Sequence, residues 1–189
     1  YRNAACANIS SGGNSLNVTC NFSVWYYAMP GEWLCKVYAE DSAGGNGSRT
    51  SNTTVEELYA VQITPMYIDF GILAAGETSD SDTNITVENF GNTEIDITLH
   101  GYGVEESDGL SMACELGNIT VGNMRYYMSE GIPFASMIPL TEDPVQLDDF
   151  NLGPVRPPAV SSQKSVFWKV SVPTPRKGDC GGFVTFGVV

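Results

Sequence analysis

Asn84-Ile85-Thr86-Val87-Glu88-Asn89-Phe90-Gly91-Asn92-Thr93-Glu94-Ile95-Asp96-Ile97-Thr98-Leu99 is the stretch on which the fold turns. In its second half Ile95, Ile97 and Leu99 face one way while Glu94, Asp96 and Thr98 face the other, a period of two. The first half repeats the pattern, with Ile85 and Val87 alternating with Asn84, Thr86 and Glu88. Between them Asn89-Phe90-Gly91-Asn92 has the composition of a hairpin-like turn. Strands with one apolar and one polar face belong to antiparallel sheets that are buried on one side only.

Working outward, similar runs recur at 16–25, 33–39, 58–64, 66–70, 117–121, 166–172 and 183–189, separated by Gly, Pro, Asn and Asp. No ten-residue window carries a convincing 3.6-residue repeat. The expectation is an all-β chain, an antiparallel β-sandwich. The acidic, proline-punctuated stretch 142–158 reads as a long surface loop, and the Gly/Ser/Asn-rich stretch 41–52 as another. A boundary is expected near 62–65. Beyond it lie enough residues for one complete sandwich at 63–189, whereas 15–62 holds too few strands to cover its own apolar face. That smaller unit must pack on the second domain or on another chain. Residues 1–14 form an extended N-terminal segment.

Seven of the thirteen asparagines, Asn8, Asn17, Asn21, Asn46, Asn52, Asn84 and Asn118, begin Asn-X-Ser/Thr with no intervening Pro. Ser and Thr make up 31 of 189 residues, so chance alone would give about two such sites. The excess points to covalent N-glycans on an exported, extracellular or cell-surface protein. Thr-rich strands with Asn-containing turns are the accidental source to set against it. Acidic residues number 22 against 9 basic, net −13, which repels nucleic acid and anionic membranes and keeps the chain soluble. No apolar run approaches the ~20 residues that span a bilayer, so membrane insertion is not expected. Tyr1 rather than Met begins the sequence, as expected of a processed or excised form.

Five cysteines, Cys6, Cys20, Cys35, Cys114 and Cys180, show no metal-ligand spacing, and His100 is the single histidine. In an exported chain they read as disulfides with one left over. Cys20 and Cys35 each sit on the apolar face of a period-two strand, which suggests a bridge across a shared core. Cys114 and Cys180 form the second expected pair. Cys6 is then a free thiol, a swapped partner or an intermolecular link, and spacing alone leaves the connectivity open.

Catalysis has little to work with. A Ser-His-Asp arrangement would need His100, which reads as a surface or capping residue at a strand end, and no Gly-x-Ser-x-Gly elbow exists. Glu105/Glu106 and Asp148/Asp149 lie in loops without an apolar pocket to raise a pKa. No enzymatic role, catalytic residue, cofactor or metal site is expected. Asp80-Ser81-Asp82 and Glu105, Glu106 and Asp108 have the oxygen-rich character of calcium-binding loops, but solvated loops share that composition. The aromatic residues Trp25-Tyr26-Tyr27, with Tyr126-Tyr127, suit a sugar-stacking platform, an interface or plain core packing.

Ala4-Ala5-Cys6-Ala7-Asn8-Ile9 is uncharged and small in side chain, and a flexible Ser11-Gly12-Gly13-Asn14 follows it. Such a segment suits donation as a strand to the sheet edge of a neighbouring copy, with the incomplete 15–62 unit as acceptor. A head-to-tail contact of this kind that does not close makes a homopolymer.

Two resemblances bear on this reading. Leu16-Asn17-Val18-Thr19-Cys20, Pro30-Gly31-Glu32-Trp33-Leu34-Cys35-Lys36-Val37 and Ala39-Glu40-Asp41-Ser42-Ala43-Gly44-Gly45 resemble the last strands of an immunoglobulin-like or polycystic-kidney-disease-like surface domain, without its earlier strands. Ile68-Asp69-Phe70-Gly71, the 85–97 stretch and Trp168-Lys169-Val170 through Phe186 resemble a sandwich module of archaeal-type extracellular surface and filament proteins. The resemblance implies an antiparallel immunoglobulin-like β-sandwich, with a smaller N-terminal β-sheet unit completed by a neighbouring subunit. It also implies a structural subunit of a pilus-like filament or cell-surface layer. A monomeric adhesion or carbohydrate-binding module of a larger surface protein is the alternative.

Overall fold

The computed structural model of the chain describes residues 6–12, 15–156, 158–159 and 161–189. They fall into two compact units, Tyr1–Glu56 and Glu57–Val189, so the division comes ahead of the expected 62–65. The reason is local: the strand that includes Val61 and Ile63 pairs within the second unit.

The first unit contains β1 (Ala7–Gly12), β2 (Ser15–Thr19), β3 (Gly31–Glu40) and β4 (Asn46–Val55). The second contains β5 (Val61–Thr64), β6 (Thr83–Asn89), β7 (Ile97–Tyr102), β8 (Leu110–Leu116), β9 (Ile119–Thr120) and β10 (Met124–Tyr127). It continues with β11 (Ile138–Pro139), β12 (Val145–Gln146), β13 (Gln163–Val170), β14 (Lys177–Gly181) and β15 (Phe183–Val188). Every pairing among the described strands is antiparallel, and the helical content is two 3-10 turns, Val121–Asn123 and Phe134–Ser136.

In the second unit a five-stranded sheet, ordered β11-β10-β13-β6-β5, faces a three-stranded sheet, β12-β7-β15. Both turn their alternate apolar residues into one core, which makes this unit a β-sandwich. β6 supplies Ile85 and Val87, β13 Val166 and Trp168, β10 Met124 and Tyr126, and β7 Ile97 and Leu99. Trp168 sits at the centre, fully buried, with Tyr126 at 5.4 Å and Phe186 at 6.3 Å between ring centroids. Burying such a side chain contributes ~1.5–3 kcal/mol, and truncating it to Ala would cost ~3–5 kcal/mol with the cavity included.

Three expectations need correcting. β6 and β7 do not form a hairpin, because they lie in different sheets and the 89–92 turn carries the chain across the core. Their apolar faces look at each other from opposite sides, which a direct hairpin would not allow. The crossing is pinned by buried side chains: Asn89 donates to the carbonyls of Thr93 and Leu152 and accepts from Gly91, while Asn92 accepts from the Leu58 amide at 2.7 Å. A side chain at Gly91 would meet the Leu58 carbonyl at 2.1 Å, so the close approach requires glycine.

The 142–158 stretch is likewise no surface loop. Leu147, Phe150, Leu152 and Val155 are buried, and Leu152 exchanges both main-chain hydrogen bonds with Ile95 at 2.8 and 3.1 Å. Its acidic residues Asp148 and Asp149 remain exposed, so an irregular spacing of inward residues hid behind a polar composition.

The 41–52 stretch is a loop only to Gly45, after which β4 pairs with β3 over ten residues a side. Asp41 closes that turn, its carboxylate accepting the Ala43 and Gly45 amides at 2.8 Å, with Gly44 at φ 85°. β4 (NGSRTSNTTV) lacks apolar alternation because both faces of the hairpin are wet. Leu34, at 73% exposure, and Tyr38, at 58%, stand in solvent.

Candidate functional site

The sequon asparagines separate cleanly from the rest. Asn17, Asn21, Asn46, Asn52, Asn84 and Asn118 are all exposed, whereas Asn89 and Asn92, outside any sequon, are buried in the sheet crossing. Asn84 lies on the outer face of β6, opposite the core residues Ile85 and Val87. Asn118 sits in the turn between β8 and β9 and accepts the Cys114 amide at 3.2 Å. On β3–β4 the register puts Asn46 opposite Glu40 and Asn52 opposite Leu34. Both sequons thus share one face with Leu34, Lys36 and Tyr38, while Trp33, Cys35 and Val37 occupy the other.

Cys6 is bonded to Cys20 and Cys114 to Cys180, which leaves Cys35 as a free, exposed thiol. The expected Cys20–Cys35 bridge is therefore corrected. Cys20 follows β2, Cys35 lies on β3, and those strands belong to separate two-stranded sheets. Cys114 and Cys180 are register partners on β8 and β14. Two disulfides point to a non-reducing environment.

Of the expected donor residues, Ala4 and Ala5 lie outside the described residues, as do the side chains of Asn8 and Ile9. Cys6 is tethered to Cys20, and the backbone from Ala7 onward folds back on β2, with Ala7 opposite Thr19 and Asn8 opposite Val18. Within one chain the segment is thus a hairpin arm rather than a free extended strand.

His100 lies inside β7 opposite Thr185, not at a strand end, and its buried Nδ1 has no hydrogen-bond partner. One carboxylate in each acidic loop, Asp82 and Asp108, does structural work. Asp82 forms an ion pair with Lys169 at 3.3 Å and accepts the Gly131 amide at 2.6 Å, with side chains only 5% and 12% exposed. Asp108 accepts the amides of Gly103, Val104, Glu105 and Leu110 at 2.8–3.3 Å and so gathers the 103–110 excursion between β7 and β8. Burial pushes its carboxyl up, and the amides of Val104, Gly103, Leu110 and Glu105 outweigh this to hold it at about 2. Among the described residues no three His, Cys, Asp or Glu side chains gather as metal ligands, and no helix is long and apolar enough to cross a membrane. Trp25 and Tyr27 stack at 5.9 Å with a 3° interplanar angle, Tyr26 meets Tyr27 edge-on, and Trp25 is 59% exposed. Tyr126 is core, and burial raises its phenol pKa, helped by the charge of Asp148.

A feature absent from the sequence reading lies on the open side of the sandwich. β14 and β15 run almost continuously from Lys177 to Val188, pairing first with β8 and then with β7, and bend at Gly182. A Cβ there would meet the Ser111 carbonyl at 1.9 Å. Among the described strands β15 has one neighbour, β7, and β5 has one neighbour, β6. Between these two edges is a groove of about 630 Å³ lined by Ile63, Ile68, Ile85, Met112, Met124 and Phe186. The 66–70 run, expected as a strand, is an irregular strap beside it, with Met66 at 91% exposure. Alternation marks Val184 and Phe186 as inward; only the sheet order shows that no described strand flanks them on their outer side.

Comparison with protein-family models, with curated proteins and with solved structures found no match to this chain.

Proposed function

We propose that this chain is an exported, glycosylated structural subunit of an extracellular filament or cell-surface layer, built by adding strands of one copy to the sheets of the next. The β3–β4 hairpin carries the reading. It is ten residues long on each side, has two open edges, and is exposed on nearly every residue of both faces. A lone two-stranded sheet is marginal in water, and its unpaired edges are templates for another chain. Asn46 and Asn52 would confine glycans to one face, leaving the face of Trp33, Cys35 and Val37 for contact. The unit then acts as the partial immunoglobulin-like module completed by a neighbour, and the strand that is added is β1, brought as a hairpin arm pinned by Cys6–Cys20. Extracellular placement, N-glycans at the exposed sequons and an archaeal-type surface assembly complete the proposal.

The stack of exposed Trp25 on half-buried Tyr27 favours a second reading, a monomeric adhesion or carbohydrate-binding module using that aromatic surface. Deleting residues 1–13 together with Cys20→Ser removes the arm and its tether at once. Sedimentation velocity of this variant against the full chain separates the readings: a strand-adding subunit loses its large species, whereas an adhesion module sediments as a monomer in both forms.

A further inference from the structure

We infer that the groove between β5 and β15 is an acceptor for an extended, uncharged strand of a second copy of this chain, which hydrogen-bonds to Val184, Phe186 and Val188. The inference rests on the strand-addition reading and gives the second unit an acceptor of its own, in addition to the open edges of β3–β4.

The main-chain geometry fixes which groups are on offer. Val189 and Asp96 exchange both hydrogen bonds, each at 3.0 Å. In an antiparallel ladder such pairs alternate with pairs that exchange none. The register therefore commits Gly187, Thr185 and Phe183 to Thr98, His100 and Tyr102. Val184, Phe186 and Val188 turn their amides and carbonyls the other way, toward an edge with no neighbouring strand among the described residues.

The same three residues point their side chains inward, yet they are only half-buried, as are Val61 and Ile63 across the gap. Their counterparts on β6, β7 and β13 are nearly inaccessible. One side of the core is therefore left ajar along the edge that offers free main chain. Residues 184 to 188 span about 13 Å, so an incoming strand of about five residues reaches all three and drops alternate side chains into the groove.

A row of free amides and carbonyls beside an apolar trough fits an extended peptide. The chain supplies one: in the N-terminal unit β1 (ANISSG) and β2 (SLNVT) contain no charged residue, and among the described strands each pairs only with the other. In a chain of net charge −13 an uncharged strand approaches a second copy with least repulsion. None of the sequon asparagines lines the groove.

Amide hydrogen exchange on the full-length chain tests this, comparing dispersed monomer with assembled polymer. Amides of Val184, Phe186 and Val188 should exchange freely in the monomer and slow by at least about tenfold in the polymer, while Thr185 and Gly187 are protected in both. Val184→Glu should abolish polymer, with protection of Thr185 and Gly187 showing that its monomer still folds. Polymer that leaves the three amides as fast as in the monomer overturns the inference but leaves strand addition at another edge standing. Protection already present in the monomer, or undiminished polymer from a folded Val184→Glu, overturns it too. A chain that forms no polymer under any condition removes the strand-addition reading itself, and the inference with it.

Discussion

Removing the Cys114–Cys180 bridge should weaken the second unit more than removing Cys6–Cys20 weakens the first. In the chain-entropy account a cross-link acts on the unfolded state, through the length of the loop it closes. The Cys114–Cys180 separation is 66 residues and the Cys6–Cys20 separation 14. These lengths give about 4.4 and about 3 kcal/mol at 25 °C. The first figure is a large part of the ~5–15 kcal/mol by which a folded domain exceeds its unfolded state. The assay is a urea titration of Cys114→Ala/Cys180→Ala followed by tryptophan fluorescence in a Trp25→Phe/Trp33→Phe background. Trp168, fully buried in the sandwich, is then the sole reporter. With a urea slope of ~2 kcal/mol/M the midpoint should fall by about 2 M. Cys6→Ala/Cys20→Ala should leave the Trp168 midpoint in place, because that loop lies in the other unit. A fall of less than about 0.5 M in the first variant, or an equal fall in both, would refute the loop-length reasoning and the division into units.

Other perturbations test the neighbouring pieces. Asp82→Asn or Lys169→Met alone strands a nearly buried charge and should cost ~3–5 kcal/mol, while the double variant recovers most of it; a double-mutant cycle by thermal unfolding measures the coupling. The Asp108 carboxyl is held at about 2, below its usual ~3.9, so its folded form binds the proton less readily than the unfolded chain. Its contribution is complete above about pH 4 and lost as the pH falls through about 2. Exchange of the Val104 and Leu110 amides should therefore accelerate only in that window, and Asp108→Asn should remove the transition. Glycopeptide mass spectrometry of chain taken from its native source should find glycans at Asn84 and Asn118, whose side chains are exposed on the outer face of β6 and in the β8–β9 turn.

The alternation at 84–99 was legible because inward and outward residues obey a period of two, and Ile85, Val87, Ile97 and Leu99 all reach the core. What alternation does not carry is the identity of a strand's neighbour. The turn at 89–92 therefore read as a hairpin when it is a crossing between sheets, and Cys20 and Cys35 looked like partners when their strands never pair. Composition misled in both directions. Polar β4 forms a strand because its hairpin has no buried face, while Leu147, Phe150 and Leu152 plug the core from within an acidic stretch. The groove beside β15 was out of reach for the same reason, since an open edge is a property of the sheet order.

Negative-stain electron microscopy of the chain isolated from its native source addresses the central claim most directly. Assembly by strand addition predicts ordered filaments or a lattice of uniform repeat, persisting on dilution. Isolated particles the size of one chain, unchanged on dilution and on concentration, would contradict it and leave the Trp25–Tyr27 surface as the feature to pursue.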